Sequence, residues 1–403
     1  MRVRQLQYRI LGQQLAMLAM KEASLTSYFV GIAGLWSSLS FQLACAFVMP
    51  FRTDLYSPNS VGCSLPQHMR CKTYTRMQAE SEEVGAVSMG TYKHDDYWKV
   101  SFRESPPPRP SDCEHDGLSI LCIHPVGIGL SSWFWERVML EMNRHQGIDG
   151  DQGSDTSRMV KVYAPNLIGC GTTEGSDPWD PDVRGLSFPL GWVQGCETLI
   201  RHIEKQSTIQ QQSRRRWVIV VQGGLAPVGV LLASRNPQLV EKLVLASPPP
   251  CKDMTTPIPQ IDLKRNYNSL RNPLFGDLAF RVLESRWAIE FFSNQFLFSE
   301  PCDDDFLRRT LEIACVDDRA PVQAFNAGLC QHRSYQEELC SLDETQSTLI
   351  VAGLDDKRTR NEYLANMKNC FIQKLPGTNV LPWESPREFA RALKKFTMMQ
   401  RMH

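Results

Sequence analysis

The sequence predicts an α/β fold: a doubly wound, mostly parallel sheet that carries an inserted helical cap. Three observations predict it. Short continuous apolar runs such as Leu118–Ile123 read as strands buried on both faces. These runs alternate with helical stretches, as βαβ units with right-handed crossovers do. Between Ala246 and Leu349 lie about a hundred residues, far too many for a connection, and their content is helical and aromatic.

The elements follow in order. Tyr97–Arg103 alternates enough to be a first strand, and Pro106, Pro107, Pro108 and Pro110 break the chain after it. Leu118–Ile123 is the first buried strand and Ser132–Arg144 a helix, followed by a polar insertion rich in Gly and Asp at Gln146–Arg158. Val160–Ala164 is a strand and Phe188–Lys205 a helix. Trp217–Val221 is a strand, Leu225–Asn236 a helix with small residues, and Leu239–Ala246 a strand. The long gap contains Phe275, Phe280, Trp287, Phe291, Phe292, Phe296 and Phe298, which mark an inserted cap. Leu349–Ala352 and Phe371–Leu375 are the last strands, and Pro386–Phe396 closes as an amphipathic helix. The expected division is a presequence at 1–51, a flexible leader at 52–94, a core formed by 95–249 and 346–400, and a cap at 250–345.

The composition excludes several classes. At 403 residues, 42% hydrophobic and 22% charged, the chain is too apolar for a disordered protein. Lys+Arg and Asp+Glu both number 44, so no net field steers nucleic acid, and no nucleic-acid partner is expected. The run Arg214-Arg215-Arg216 directly precedes an apolar strand and reads as its solvated entrance. The 13 cysteines show neither a C-x-x-C pair nor zinc spacing, which suits free thiols in a reducing compartment and no metal.

The N-terminus reads as an address. Ala23–Phe51 contains no charged side chain, and Tyr28–Ala46 is mostly apolar but interrupted by Ser37, Ser38, Ser40 and Gln42. It ends in Ala44-Cys45-Ala46, a small-x-small cleavage pattern, followed by Phe47. This junction resembles the bipartite presequences of algae with secondary plastids. The stretch up to Gln78 carries Arg52, Arg70, Lys72 and Arg76 against a lone Asp54, as a transit peptide does. The resemblance implies a plastid location and no stable membrane span in the mature chain. The alternative is an N-terminal membrane anchor, against which the polar residues inside the segment count.

Five segments at strand ends carry a further resemblance. They are His124-Pro125-Val126-Gly127-Ile128-Gly129, Ala164-Pro165-Asn166-Leu167-Ile168-Gly169-Cys170-Gly171, Val220-Val221-Gln222-Gly223-Gly224-Leu225-Ala226-Pro227, Gly353-Leu354-Asp355-Asp356, and the stretch from Leu375 to Pro386. In order and spacing they resemble the α/β-hydrolase fold superfamily: its His-Gly loop, its P-D-x-x-G-x-G turn, its nucleophile elbow G-x-S-x-G, its acid and its closing histidine loop. The resemblance implies a sheet of the α/β-hydrolase type. It places Gly224 at the serine, Asp356 at the acid and Val380 at the histidine, and it assigns the backbone oxyanion donors to Val126 and Leu225.

Two of three catalytic groups are therefore absent from their expected positions. Losing the nucleophile or its base typically costs on the order of 10⁶ in rate. The first expectation is a catalytically impaired hydrolase-like protein that binds a hydrophobic small molecule or a partner, without a cofactor. The second is an atypical hydrolase acting on an ester, lipid or pigment-like substrate through a displaced nucleophile. Cys170 with His124 is the candidate pair for that chemistry. The plainer reading makes Cys170 a packed thiol and His124 an organiser of its loop. Gln222, Trp133 and Trp383 complete the pocket candidates, either lining a ligand site or belonging to the core.

Overall fold

A computed structural model describes residues 86–95, 97–106, 118–144, 160–171, 188–206, 216–273, 275–314 and 319–399. The presequence assigned to residues 1–51 lies outside the described residues. Among the described residues eight strands form one sheet: β1 Ser88–His94, β2 Trp98–Glu104, β3 Leu118–Ile123, β4 Lys161–Pro165, β5 Arg216–Gln222, β6 Val240–Ala246, β7 Ser347–Gly353 and β8 Cys370–Leu375. Their order is β1-β2-β4-β3-β5-β6-β7-β8. β1 and β2 pair antiparallel with each other and β2 with β4, while the strands from β4 to β8 run parallel.

Two expectations need correction at the N-terminal edge. The leader assigned to 52–94 does not stay irregular to its end, because Ser88–His94 forms β1. The first alternating run is therefore the second strand, paired with β1 through His94↔Trp98 around a turn in which Asp95 takes φ 51°.

The helices follow in chain order. In the core these are α1 Glu136–Arg144, α2 Leu190–Gln206 and α3 Ala226–Arg235. Between β6 and β7 come α4 Cys251–Thr255, α5 Gln260–Leu270, α6 Phe275–Leu283, α7 Arg286–Phe292, a π turn at Ser293–Leu297, α8 Asp304–Ile313, α9 Arg319–Asn326 and α10 Gln336–Thr345. α11 Asn361–Asn366, α12 Leu381–Glu384 and α13 Pro386–Met398 complete the chain.

Alternation along the central strands splits the core between two faces. Leu121, Ile123, Ile219, Val221, Leu243 and Leu245 pack with Trp192 and Leu199 of α2 and Leu232 of α3. Ile120, Cys122, Val218, Val220 and Val244 face the other way, onto Val138 and Met142 of α1 and Phe389, Leu393 and Phe396 of α13. This is why the strands read as unbroken apolar runs: both faces are covered. Leu339 and Leu342 of α10 belong to the first of these layers, so this helix packs on the core although it falls inside the segment expected to be cap.

A buried cation fastens the closing helix. The Lys242 side chain, 2% exposed, donates to the carbonyls of Phe396 at 2.9 Å, Thr397 at 2.8 Å and Met399 at 2.6 Å. These are carbonyls at the C-terminal end of α13, where a positive charge meets orphan acceptors and the negative end of the helix dipole.

Candidate functional site

The sheet reverses its winding between β3 and β5, which are neighbours although β4 intervenes in sequence. Ligands of doubly wound sheets bind outside the strand C-termini at such a switch point. Two loops flank it here: His124–Gly129 after β3, and the turn Gln222–Leu225 that joins β5 to α3.

The turn is the expected elbow, with its register shifted by one residue. The left-handed backbone falls on Gly223, at φ 64°, and not on Gly224. The residue at the strained kink is the one that projects from an elbow. Gly223 thus occupies the kink of this turn, and the amide that follows it is that of Gly224. Both adjoining residues are glycine, so the missing side chain is common to the two registers.

The two glycines have different surroundings. A Cβ built on Gly223 would meet no heavy atom within 4 Å. A Cβ on Gly224 would collide with the Cζ of Phe325 and come within 2.8 Å of its Cε2. Phe325 stands on α9, so a cap side chain rests directly on the elbow. α9 is itself anchored: Arg319, at its start, donates to Glu284 through Nε and Nη2, each at 2.5 Å, and also pairs with Asp277. A cavity of about 10 Å³ lies nearby in the cap, between Ile128, Gly129, Phe280 and Arg319. That is room for about one water and for no organic ligand.

The cap is also strapped to the core. Arg137 of α1 pairs with Asp303 at 2.8 Å and lies 3.7 Å over the ring of Trp383. Trp383 Nε1 donates to the same Asp303 at 3.1 Å. Arg309 of α8 pairs with Glu136 of α1. Trp133 and Trp383 meet edge to face at 5.1 Å, both also touching Phe306 of α8. Both indoles are almost fully buried, 1% and 2% exposed, and form the seam between cap and core.

Gln222, 1% exposed, reaches across the top of the sheet, where its Nε2 donates 2.8 Å to the Asn379 carbonyl. It thereby ties the elbow to the loop expected to carry the histidine. Val380 in that loop is 2% exposed and packs into the core. Leu297 at the end of the π turn accepts from the amides of Asn379 and Val380 at 3.2 and 3.4 Å. The loop is thus held from both sides by backbone and amide contacts.

His124 is fully buried, and both ring nitrogens are committed. Nε2 accepts the Leu167 amide at 3.0 Å, which leaves the proton on Nδ1 to donate to the Pro125 carbonyl at 2.8 Å. Burial pulls its pKa down to about 4, against the opposing hydrogen bond to Pro125. His124 is therefore neutral at ordinary pH and organises its loop, and no ring nitrogen remains for Cys170. Cys170, 5% exposed, lies in the apolar core, with its amide bonded to the Leu167 carbonyl at 2.8 Å. Asn166 adds to the lock between loops: its Oδ1 accepts from the Ser132 amide at 2.9 Å and its Nδ2 donates to Ser101 at 2.8 Å. The half-buried Val126 sits in the same cluster of loops.

Asp356 is occupied by arginines. Its carboxylate, 4% exposed, takes Arg358 Nε at 2.9 Å, the Arg358 amide at 3.0 Å and Arg360 Nη2 at 3.0 Å. Burial opposes its ionisation, but the bonds and charges of Arg358 and Arg360 outweigh this and hold the pKa below 3.8. The expectation of an acid left without a histidine thus becomes an ion-pair centre. The other described histidines are engaged elsewhere: His94 with Thr198, His202 with Gln206 and His332 with the Leu329 carbonyl.

Sequence reasoning missed one residue of interest beside the elbow. Ser247 follows β6 immediately, and Gln222 pairs with Ala246, so Ser247 and Gly223 leave adjacent strands side by side. Ser247 takes φ 46°, is 1% exposed, and its hydroxyl has no hydrogen-bond partner among the described residues. No sequence signal marks a serine for the left-handed region.

Comparison with known proteins agrees with the geometry. The profile of the family described as Alpha/beta hydrolase family matches residues 120–392. No curated protein sequence matches the chain. Among solved structures, the serine hydrolase of carbazole degradation called CarC is similar at a TM-score of 0.52 and 16% identity, over 78% of this chain and 100% of that one. A serine hydrolase of Cycloclasticus zankles is similar at 0.53 and 16%, over 77% and 98%. The haloalkane dehalogenase DatA of Agrobacterium tumefaciens C58 is similar at 0.52 and 15%, over 77% and 96%. At such identities the likeness concerns the fold. With well over half its length matched by the family profile, the chain belongs to the alpha/beta hydrolase family.

Proposed function

We propose that this chain is a hydrolase-fold protein without serine-hydrolase chemistry, which acts by binding. The observation that carries the reading is the elbow: Gly223 holds the left-handed kink with no side chain, and Phe325 of the cap rests on Gly224 beside it. An acyl transfer needs a nucleophile with a base in hydrogen-bond reach. Here Val380 stands in the closing loop, and the imidazole of His124 is spent on backbone groups. The seating of Phe325 on the elbow favours a partner met from outside over an enclosed hydrophobic molecule. A plastid location belongs to the same proposal, and a fluorescent fusion of residues 1–94, which carries the signal-like and transit-like stretches together, tests it separately.

The test is turnover. Purified protein is expected to hydrolyse p-nitrophenyl acetate and longer acyl esters no faster than buffer with an equal amount of albumin. Saturable turnover that disappears on a single substitution overturns the reading.

One observation favours a second reading, an atypical hydrolase. Ser247 is a strained, buried serine with an unpartnered hydroxyl one strand from the elbow, and such outliers cluster at functional sites. On this reading, any activity is lost in Ser247→Ala and kept in Cys170→Ser.

A further inference from the structure

Two thiols stand at the base of the segment inserted between β6 and β7. Cys251 opens α4, the first helix of that segment, and Cys340 lies on α10, the last. Both are free. The rest of the insertion runs from one of these helices to the other, so a link between them closes the cap at its stem.

Backbone bonds already bring the two stems together. The Tyr335 amide, at the entrance to α10, donates 3.0 Å to the Met254 carbonyl on α4, and the Ile258 amide donates 2.8 Å to the Gln331 carbonyl. Cys251 lies about one helical turn before Met254. The Cys340 side chain turns back toward the same junction: its Sγ accepts from Gln336 Nε2 at 3.3 Å, and Gln336 is the chain neighbour of Tyr335. Helical side chains lean toward the N-terminus of their helix, and this is the end of α10 that meets α4. Cys251, Met254, Tyr335 and Leu339 belong to one packed cluster.

The two thiols differ in access. Cys340 is exposed, whereas Cys251 is 3% exposed, with its Sγ 3.9 Å from Asn366 Nδ2 of α11. Burial first, then Glu362 and Cys340, push the Cys251 thiol up to about 11, so Cys340 is within electrostatic reach of it and Cys251 stays protonated at neutral pH. An oxidant in solution therefore meets Cys340 first, and Cys251 follows from inside.

We infer that Cys251 and Cys340 are a redox-responsive pair, which glutathione disulfide closes into a bond across the base of the cap. The Cys340 thiolate attacks one sulfur of glutathione disulfide, and one glutathione leaves as its thiolate. Cys251 gives up its proton to solvent, attacks the Cys340 sulfur and expels the second glutathione. Two protein thiols are oxidised and one glutathione disulfide is reduced to two thiols. Excess glutathione reverses both steps. The closed bond pins the stems of the segment whose Phe325 rests on the elbow. The pair stands or falls independently of the chemistry at the elbow.

The test incubates the full chain at graded ratios of glutathione disulfide to glutathione. Remaining thiols are then blocked in denaturant and the peptides mapped by mass spectrometry. A bond joining the peptides of Cys251 and Cys340 is expected, and excess glutathione is expected to remove it. In Cys251→Ser, Cys340 is expected to stop as a mixed disulfide with one glutathione. In Cys340→Ser, Cys251 is expected to stay reduced. The closed wild-type chain is expected to unfold at higher urea than its reduced form, because a cross-link over a long segment restricts the unfolded chain; neither serine variant is expected to gain. The wild-type peptide map decides the matter even where Cys251→Ser fails to fold. Three results overturn the inference: glutathione on Cys340 to the same extent in wild type and Cys251→Ser with no internal bond, a bond from either cysteine to a different cysteine or to a second copy of the chain, or both thiols intact at every ratio.

Discussion

Two adjacent glycines at the elbow should respond to the same substitution through different physics. In Gly224→Ala the new methyl collides with the ring of Phe325, whose Cε2 would lie 2.8 Å away. Either the ring or α9 moves, and overpacking of this kind costs about 1–3 kcal/mol. In Gly223→Ala the methyl enters open space, but alanine must hold φ 64°. The left-handed backbone costs an L-residue about 1–2 kcal/mol. The two costs separate in a Phe325→Leu background, where the offending ring atoms are gone. There Gly224→Ala should lose most of its penalty, a coupling of about 1–2 kcal/mol, whereas Gly223→Ala should keep its penalty to within about 0.5 kcal/mol. Urea unfolding with an unchanged slope measures each corner of both cycles. Equal coupling to Phe325 for both glycines, or none for Gly224, would refute the placement of the kink and of the ring.

Three further outcomes are expected. His124 has a folded pKa of about 4 against 6.5 when free, so it contributes nothing to pH dependence above 6.5. Below that the unfolded chain binds the proton first, and stability falls by up to about 3 kcal/mol as pH approaches 4. His124→Gln, which keeps an acceptor for the Leu167 amide, should flatten this slope in urea titrations at stepped pH. Asp356 is depressed below 3.8, so its contribution is complete above that value and disappears as pH falls through the lower folded value. Asp356→Asn should destabilise at neutral pH and remove that acid limb. Lys242→Met should cost about 2–3 kcal/mol by stranding three carbonyls at the end of α13, with hydrogen exchange rising first in that helix.

The parallel core was legible because burial on both faces makes β3, β5, β6 and β7 predominantly apolar, as in Trp217–Val221 and Leu243–Ala246. β1 was not, because much of its surface is exposed and Gly90, Lys93 and His94 hide its alternation. Spacing located the elbow but not its register: a glycine pair offers no side chain to show which residue bends backward, and only φ separates them. The arginines that claim Asp356 sit two and four residues downstream, so an ion pair for an acid without its histidine was readable from spacing. Phe325 was invisible, since nothing in a helical cap sequence says which aromatic turns inward onto the sheet. The same applies to Trp133 and Trp383. Their residue type suits a pocket wall as well as a seam, and burial against Phe306 decided for the seam.

The most direct measurement is intact-protein mass spectrometry after incubation with an excess of a fluorophosphonate, an agent that phosphonylates activated serines. An elbow whose kink is Gly223 should leave the mass unchanged, before and after Phe325→Leu opens the space above it. A stoichiometric adduct, mapped by peptide sequencing to Ser247 or any other hydroxyl at the strand ends, would contradict the account.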